Sequence, residues 1–178
     1  GGEPKAIDGT LSFMIGGESQ VCEQVQPLLE VMGSSIVRVG EIGSGTAAKL
    51  ANQIMVNVNI AAMSEALTLA EKSGIDIGKM YEAVRGGLAG SAVLDAKVPL
   101  ILDRNFVAGG RIDINAKDLT NVLGTAEELD VDLPLSTQVL SMYQELIDDG
   151  KGADDHGGLI QYYEKKSGVI AGEAARKG

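Results

Sequence analysis

The rhythm of apolar and polar positions changes at Gly40. Before it, apolar residues come in short bursts. Leu11 to Ile15 (LSFMI) reads as a strand between Thr10 and Gly16-Gly17, and Ser35 to Val39 (SIVRV) reads as a second. Glu18 to Met32 reads as an amphipathic helix with Val21, Val25, Leu28, Leu29 and Met32 on one side. Pro27 lies inside that pattern and is predicted to break or kink it. Two isolated strands are marginal in water, so this βαβ piece reads as the last part of an α/β domain whose beginning is missing.

After Gly40 the helical period takes over. GEIGSGTAAKLANQIMVNVNIAAMSEALTLAEK, Gly40 to Lys72, opens on Gly40, Gly43 and Gly45 and then meets no Gly or Pro before Gly74. It predicts one helix of about 40 Å. Leu50, Ile54, Val56, Val58, Ile60, Met63, Leu67 and Leu69 make it apolar around most of its circumference. Such a helix is expected to be buried on several sides, in a bundle or against a second chain. Asp76 then caps a helix to about Arg85, and Ser91 opens one that runs to about Pro99 or Asp103. A loop at Asn105 to Gly110 leads to a helix from Arg111 to Leu129. A turn at Asp130 to Pro134 precedes the next, Leu135 to Asp149, and Asp155 caps a last one, His156 to Lys166. The tail from Gly168 to Gly178 is small and polar and is expected to fray. The fold class is therefore mainly α. A six-helix domain over residues 41–178 is organised on the long helix and follows a βαβ remnant of an α/β domain at 1–40.

Composition narrows the function classes. The 178 residues are 44% hydrophobic but only 3% aromatic, so the core is built from aliphatic side chains, Met and Ala. A formal net charge of −10 argues against nucleic acid and against an anionic membrane surface as partners. Asn57, Asn59 and Glu65 interrupt the long helix and argue against a membrane span. The lone Cys22 excludes a disulfide framework within the chain and suits a cytoplasmic protein. Gly1-Gly2 at the start, with no Met, reads as a fragment.

The candidate chemistry sits at the start of the long helix. Lys49, Asn52 and Gln53, at i, i+3 and i+4, share one face. With Thr46 as N-cap, Lys49 falls in the first turn, where a cation opposes the helix dipole. A broken local rule of this kind marks either a functional lysine or a surface lysine whose stem lies along the domain. Asn52 and Gln53 read either as site amides or as core amides, and Asn57 and Asn59 as core amides. The spacing of Gly40, Gly43 and Gly45 is G-x-x-G-x-G, the reverse of a dinucleotide fingerprint, and no strand follows. The glycines read as a hinge, or as bare backbone open to an anionic ligand. Lys117-Asp118 reads locally as an exposed charged pair, His156 as a surface or capping residue, and Cys22 as packing. No metal-ligand set stands out.

Three ordered motifs resemble the β-hydroxyacid dehydrogenase family. GGEPKAIDG at 1–9 resembles the end of its substrate-binding motif, GEIGSGTAAKLANQ its catalytic motif, and AKDL at 116–119 its cofactor motif. NIAAMSEALTLA, RGGLAGSAVLDAK and YYEK are most similar to members acting on tartronate semialdehyde. The resemblance implies an NAD- or NADP-dependent oxidoreductase of short β-hydroxy acids, with a Rossmann domain joined by the long helix to an all-α domain. It implies Lys49 as general acid and base, and Asn52 as the residue that orients substrate. It leaves open whether Asn52 or Gln53 touches substrate. It implies backbone N–H groups of Gly1 and Gly2 on the substrate carboxylate, and Lys117 and Asp118 along the cofactor cleft. Gly110 stands where members often carry a Phe near the nicotinamide. The Rossmann domain being outside the chain, the fragment alone is expected to be inactive and to bind neither cofactor tightly. A homodimer or higher oligomer is expected from the apolar long helix. The rival reading is a non-catalytic helical oligomerisation module. An imine-type reductase is a third, and Lys49 counts against it.

Overall fold

The computed structural model describes residues 2–173 and divides into two compact units, Gly1–Gln53 and Ile54–Gly178. In the first, α1 (Gly2–Ile7) precedes β1 (Leu11–Gly16), α2 (Ser19–Glu30) and β2 (Gly33–Gly40). β1 and β2 pair in parallel, with Phe13 opposite Ile36 and Met14 opposite Val37. The two strands and intervening helix follow the apolar bursts, whereas α1 lies in a stretch that carried no such pattern. α2 runs through Pro27 to Glu30, so the proline does not end it. Val21, Val25 and Leu28, expected to form its inner side, are exposed. Two strands offer too little surface to cover an apolar helix face, and Cys22 is the buried residue of α2.

α3 (Ser44–Lys72) begins in the first unit and continues into the second. Its glycines serve close packing. A Cβ at Gly45 would stand 2.5 Å from the Met14 carbonyl oxygen, and one at Gly16 would stand 2.9 Å from the Gly45 nitrogen. The backbone of the helix start thus lies directly on the end of β1. Gly43, at φ 94°, supplies the left-handed turn that no branched side chain accepts readily.

The second unit adds α4 (Ile77–Val84), α5 (Ala92–Leu102), α6 (Ile112–Glu128), α7 (Pro134–Asp148), a 3₁₀ turn at His156–Leu159 and α8 (Ile160–Ser167). With α3 these are the six helices that the periodicity predicted. Asp76 caps α4 through the Gly78 and Lys79 amides, and Ser91 caps α5 through Leu94. α5 passes through Pro99 to Leu102. Ile60, Leu67, Ile77, Val98, Ile101, Ile112, Leu119, Tyr143 and Leu146 form the core, and α6 packs along α7. The Tyr143 hydroxyl donates to Asn57 Oδ1 at 2.8 Å, both residues fully buried, which satisfies one core amide. Asn59, by contrast, is exposed. α3 is not enclosed by the other described helices: Met55 is 61% and Leu69 69% exposed. Ala62 and Ala66 lie between two apolar hollows on this open side, of about 520 and 430 Å³.

The tail is held as far as it is described. The buried Glu164 carboxylate accepts from the Ala171 amide at 2.8 Å, and the buried Glu71 from Gly172 at 2.9 Å. Arg104 also pairs with Glu164 through both carboxylate oxygens. Fraying was expected from composition, but two buried carboxylates recruit these backbone donors, because a buried charge needs partners. No helix of the described residues is long and apolar enough to cross a membrane.

Candidate functional site

The helical period brings Lys49, Asn52 and Gln53 together. Lys49 Nζ donates to Gln53 Oε1 at 2.9 Å, and Asn52 Nδ2 donates to the same oxygen at 3.0 Å. Gln53 is 7% exposed, Asn52 is half-buried and Lys49 is exposed. A buried amide oxygen therefore gathers two donors that reach toward the surface. α3 begins at Ser44, so Thr46 lies inside the helix and is not its cap. Lys49 stands in the second turn, where the macrodipole has largely faded. The helix-dipole argument for its function falls, and the case for it rests on the company it keeps.

Lys49 lies at a hollow of about 540 Å³ within the first unit. Phe13, Met14, Ile15 and Leu29 form its apolar walls, and Gly43, Gly45 and Thr46 complete them. Among these lining residues Lys49 is the one that carries a charge. An apolar wall with one cation at it suits a small organic anion beside a flat ring.

The remaining predicted residues are distributed as follows. Gly2 is the first residue of α1 and is exposed, with φ 68°. Gly1 lies outside the described residues. In the second unit, Lys117 is exposed and Asp118 half-buried on α6. The start of α6 is fixed by a cluster that the residue pattern did not disclose. Asp155, 1% exposed, accepts from Lys97 Nζ at 2.8 and 3.0 Å, from Gly157 at 2.8 Å, and from the Gly109 and Gly110 amides at 2.9 and 3.1 Å. Burial pushes its carboxyl upward, but Lys97, the Gly157 amide and the neighbouring His156 outweigh burial and hold it below the usual carboxylate range. The Ile112 and Asp113 amides donate to the Asp154 and Gly152 carbonyls, completing the seam. Asp155 was visible as a cap, but its partner Lys97 looked like any helical lysine.

His156 is half-buried in this seam, not on the surface, and its amide donates to the Gly110 carbonyl at 2.7 Å. A Cβ at Gly110 would stand 3.3 Å from His156 Cε1. The ring thus crowds the place where a larger residue at 110 would project. Burial, with the Lys97 cation adding to it and Asp155 opposing, pushes the His156 imidazole down to about 4. Its Nδ1 is buried without a hydrogen-bond partner among the described residues.

Comparison with known proteins covers nearly the whole chain. Residues 43–163 match the family described as NAD-binding of NADP-dependent 3-hydroxyisobutyrate dehydrogenase. Residues 1–40 match the NAD binding domain of 6-phosphogluconate dehydrogenase. The chain is 39% identical to a 2-hydroxy-3-oxopropionate reductase of Escherichia coli over 164 residues, 92% of this chain and 56% of that protein. It is 32% identical to a 2-(hydroxymethyl)glutarate dehydrogenase of Eubacterium barkeri over 170 residues, 95% of this chain and 56% of that one. A solved 3-hydroxyisobutyrate dehydrogenase from Salmonella typhimurium superposes with a TM-score of 0.83 at 30% identity, covering 90% of this chain and 57% of that structure. The chain thus spans a little over half the length of the relatives it matches.

Proposed function

The chain belongs to the β-hydroxyacid dehydrogenase family, and from that premise we propose that it is the catalytic part of an NAD(P)-dependent oxidoreductase. The reaction is the reversible reduction of a short semialdehyde acid, tartronate semialdehyde or a close analogue, to its hydroxy acid. The bound nicotinamide supplies or accepts the hydride. Lys49 does the proton work: its ammonium protonates the carbonyl oxygen as the hydride arrives, and the neutral amine takes that proton back in the reverse direction. A lysine can do both, because its cation gives up a proton and an arginine's does not. Asn52 orients the substrate oxygen, and Gly2 offers a backbone N–H to the carboxylate. Lys117 and Asp118 are assigned to the cofactor and substrate cleft. The apolar hollow beside Lys49 has walls that suit a nicotinamide ring.

The observation that carries the reading is the Lys49–Asn52–Gln53 cluster, in which two donors share the Gln53 oxygen and Lys49 reaches the edge of a largely apolar hollow. The choice of tartronate semialdehyde leans on the 39% identical relative. Assembly belongs to the same proposal: the open side of α3, with Met55 and Leu69 exposed, packs against a second copy. Lys49→Ala in the complete protein is expected to lower kcat by about 10²–10⁴-fold while leaving the thermal midpoint in place. Lys49→Arg should not rescue it. Assays with tartronate, methylmalonate and succinate semialdehydes and each cofactor set the substrate. A Lys49→Ala protein with the parent's kcat would return Lys49 to a surface lysine, and a complete parent without activity on any of these substrates would favour the non-catalytic module instead.

A further inference from the structure

We infer that Gln53 is a positioning residue whose amide oxygen holds Lys49 and Asn52 in register and is not a substrate contact; this rests on the reading of Lys49 as proton donor. Gln53 is 7% exposed, whereas both of its donors lie nearer the solvent. Its Oε1 receives Lys49 Nζ at 2.9 Å and Asn52 Nδ2 at 3.0 Å. An amide oxygen has two lone pairs, so these two donors fill its ordinary capacity. Little is left there for a substrate hydroxyl.

The donors keep what a substrate needs. Lys49 has two further N–H groups and Asn52 one, after each has given one to Gln53. The shared oxygen therefore fixes the spacing of two donors while leaving both able to bind. A lysine stem is flexible, and the other lining residues of its hollow are apolar or glycine apart from Thr46. Gln53, one turn along the same helix face, supplies the anchor.

The neutrality of that anchor suits the chemistry. A carboxylate in its place would form a charge-assisted bond and favour the protonated lysine. Reduction would tolerate that, because it starts from the ammonium. Oxidation of the hydroxy acid would not, because it starts from the neutral amine. An amide oxygen orients the ammonium without trapping its proton.

The test compares the complete parent protein with Gln53→Met, Gln53→Glu and Lys49→Ala. Gln53→Met keeps the length and loses the acceptor. It is expected to lower kcat by about 10- to 100-fold with KM little changed, the loss that a displaced reacting group brings. Gln53→Glu should keep reduction near the parent rate and move the rise of hydroxy-acid oxidation to higher pH. In the same proteins, carbon-13 NMR of methylated lysines, with Lys49 assigned by its loss in Lys49→Ala, reads the anchor directly. The Lys49 signal should move to the position of a free surface lysine in Gln53→Met, and its titration midpoint should rise in Gln53→Glu. A raised KM at unchanged kcat in Gln53→Met would make Gln53 a substrate ligand and overturn the inference. Unchanged kinetics with an unmoved Lys49 signal would overturn it as well. Full kcat in Lys49→Ala would sink the proton-donor reading alone, and the NMR signal would still decide whether Gln53 holds the lysine. If Gln53→Met does not fold, Gln53→Glu carries both readouts.

Discussion

Replacing Asp155 by Asn should destabilise the second unit far more than its size suggests. The substitution is nearly isosteric, so packing is kept and electrostatics is tested. One carboxylate oxygen accepts from Lys97 and Gly157, and the other from Lys97, Gly109 and Gly110. An Asn carries an acceptor at one of these places and an NH₂ group at the other. Whichever way it turns, donors face donors on one side. The Lys97 side chain, 13% exposed, also keeps a cation with no anion beside it. Breaking a buried pair from one side costs about 3–5 kcal/mol. For a chain of this size that corresponds to roughly 6–20 °C in the thermal midpoint.

The pH dependence gives a second reading of the same interaction. The folded carboxyl lies below its ordinary value. Such a group contributes stability that is present above the unfolded pKa, about 3.9, and is lost as pH falls through the folded one. The gap between parent and Asp155→Asn should stay constant from about pH 5 to pH 8 and close in more acid solution. Urea unfolding followed by circular dichroism across that range measures it. Lys97→Met leaves Asp155 its three backbone donors, and Lys97→Met with Asp155→Leu replaces the pair by apolar groups. The double variant should recover only the part of the loss that the unpaired Lys97 cation causes, because the Gly109, Gly110 and Gly157 amides lose their acceptor in it as well. A gap below about 1 kcal/mol in Asp155→Asn, or one that persists unchanged at acid pH, would refute the argument.

His156, held down to about 4, resists protonation in the folded state. Stability should therefore fall as pH drops from about 6.5 toward 4, and His156→Gln should flatten that slope in the same unfolding series. Gly45→Ala places a Cβ 2.5 Å from the Met14 carbonyl oxygen and should cost about 1–3 kcal/mol, read from the denaturation midpoint. Tyr143→Phe removes the hydroxyl from Asn57 Oδ1 in the core, and a loss of about 1–2 kcal/mol is expected in the same assay.

The order of residues determined the elements and the local face. The change of period at Gly40, the caps at Asp76, Ser91 and Asp155, and the i, i+3, i+4 grouping of Lys49, Asn52 and Gln53 all depend on neighbours along one helix or turn. The three motifs likewise carried the family, which the match over residues 43–163 bears out. Propensity and periodicity act over a few residues, so such features are legible without a fold. Only the tertiary structure decided which distant polar groups meet. Lys97 and Asp155 are 58 positions apart, Asn57 and Tyr143 86, and Glu71 and Gly172 101. It also decided that Gly45 serves contact between backbones, that Lys49 stands a turn further in than a Thr46 cap implies, and that the tail to Glu173 is held. The physical reason is burial: once packing removes a charge or an amide from water, it must find a partner wherever the fold brings one, and no local pattern records where that is.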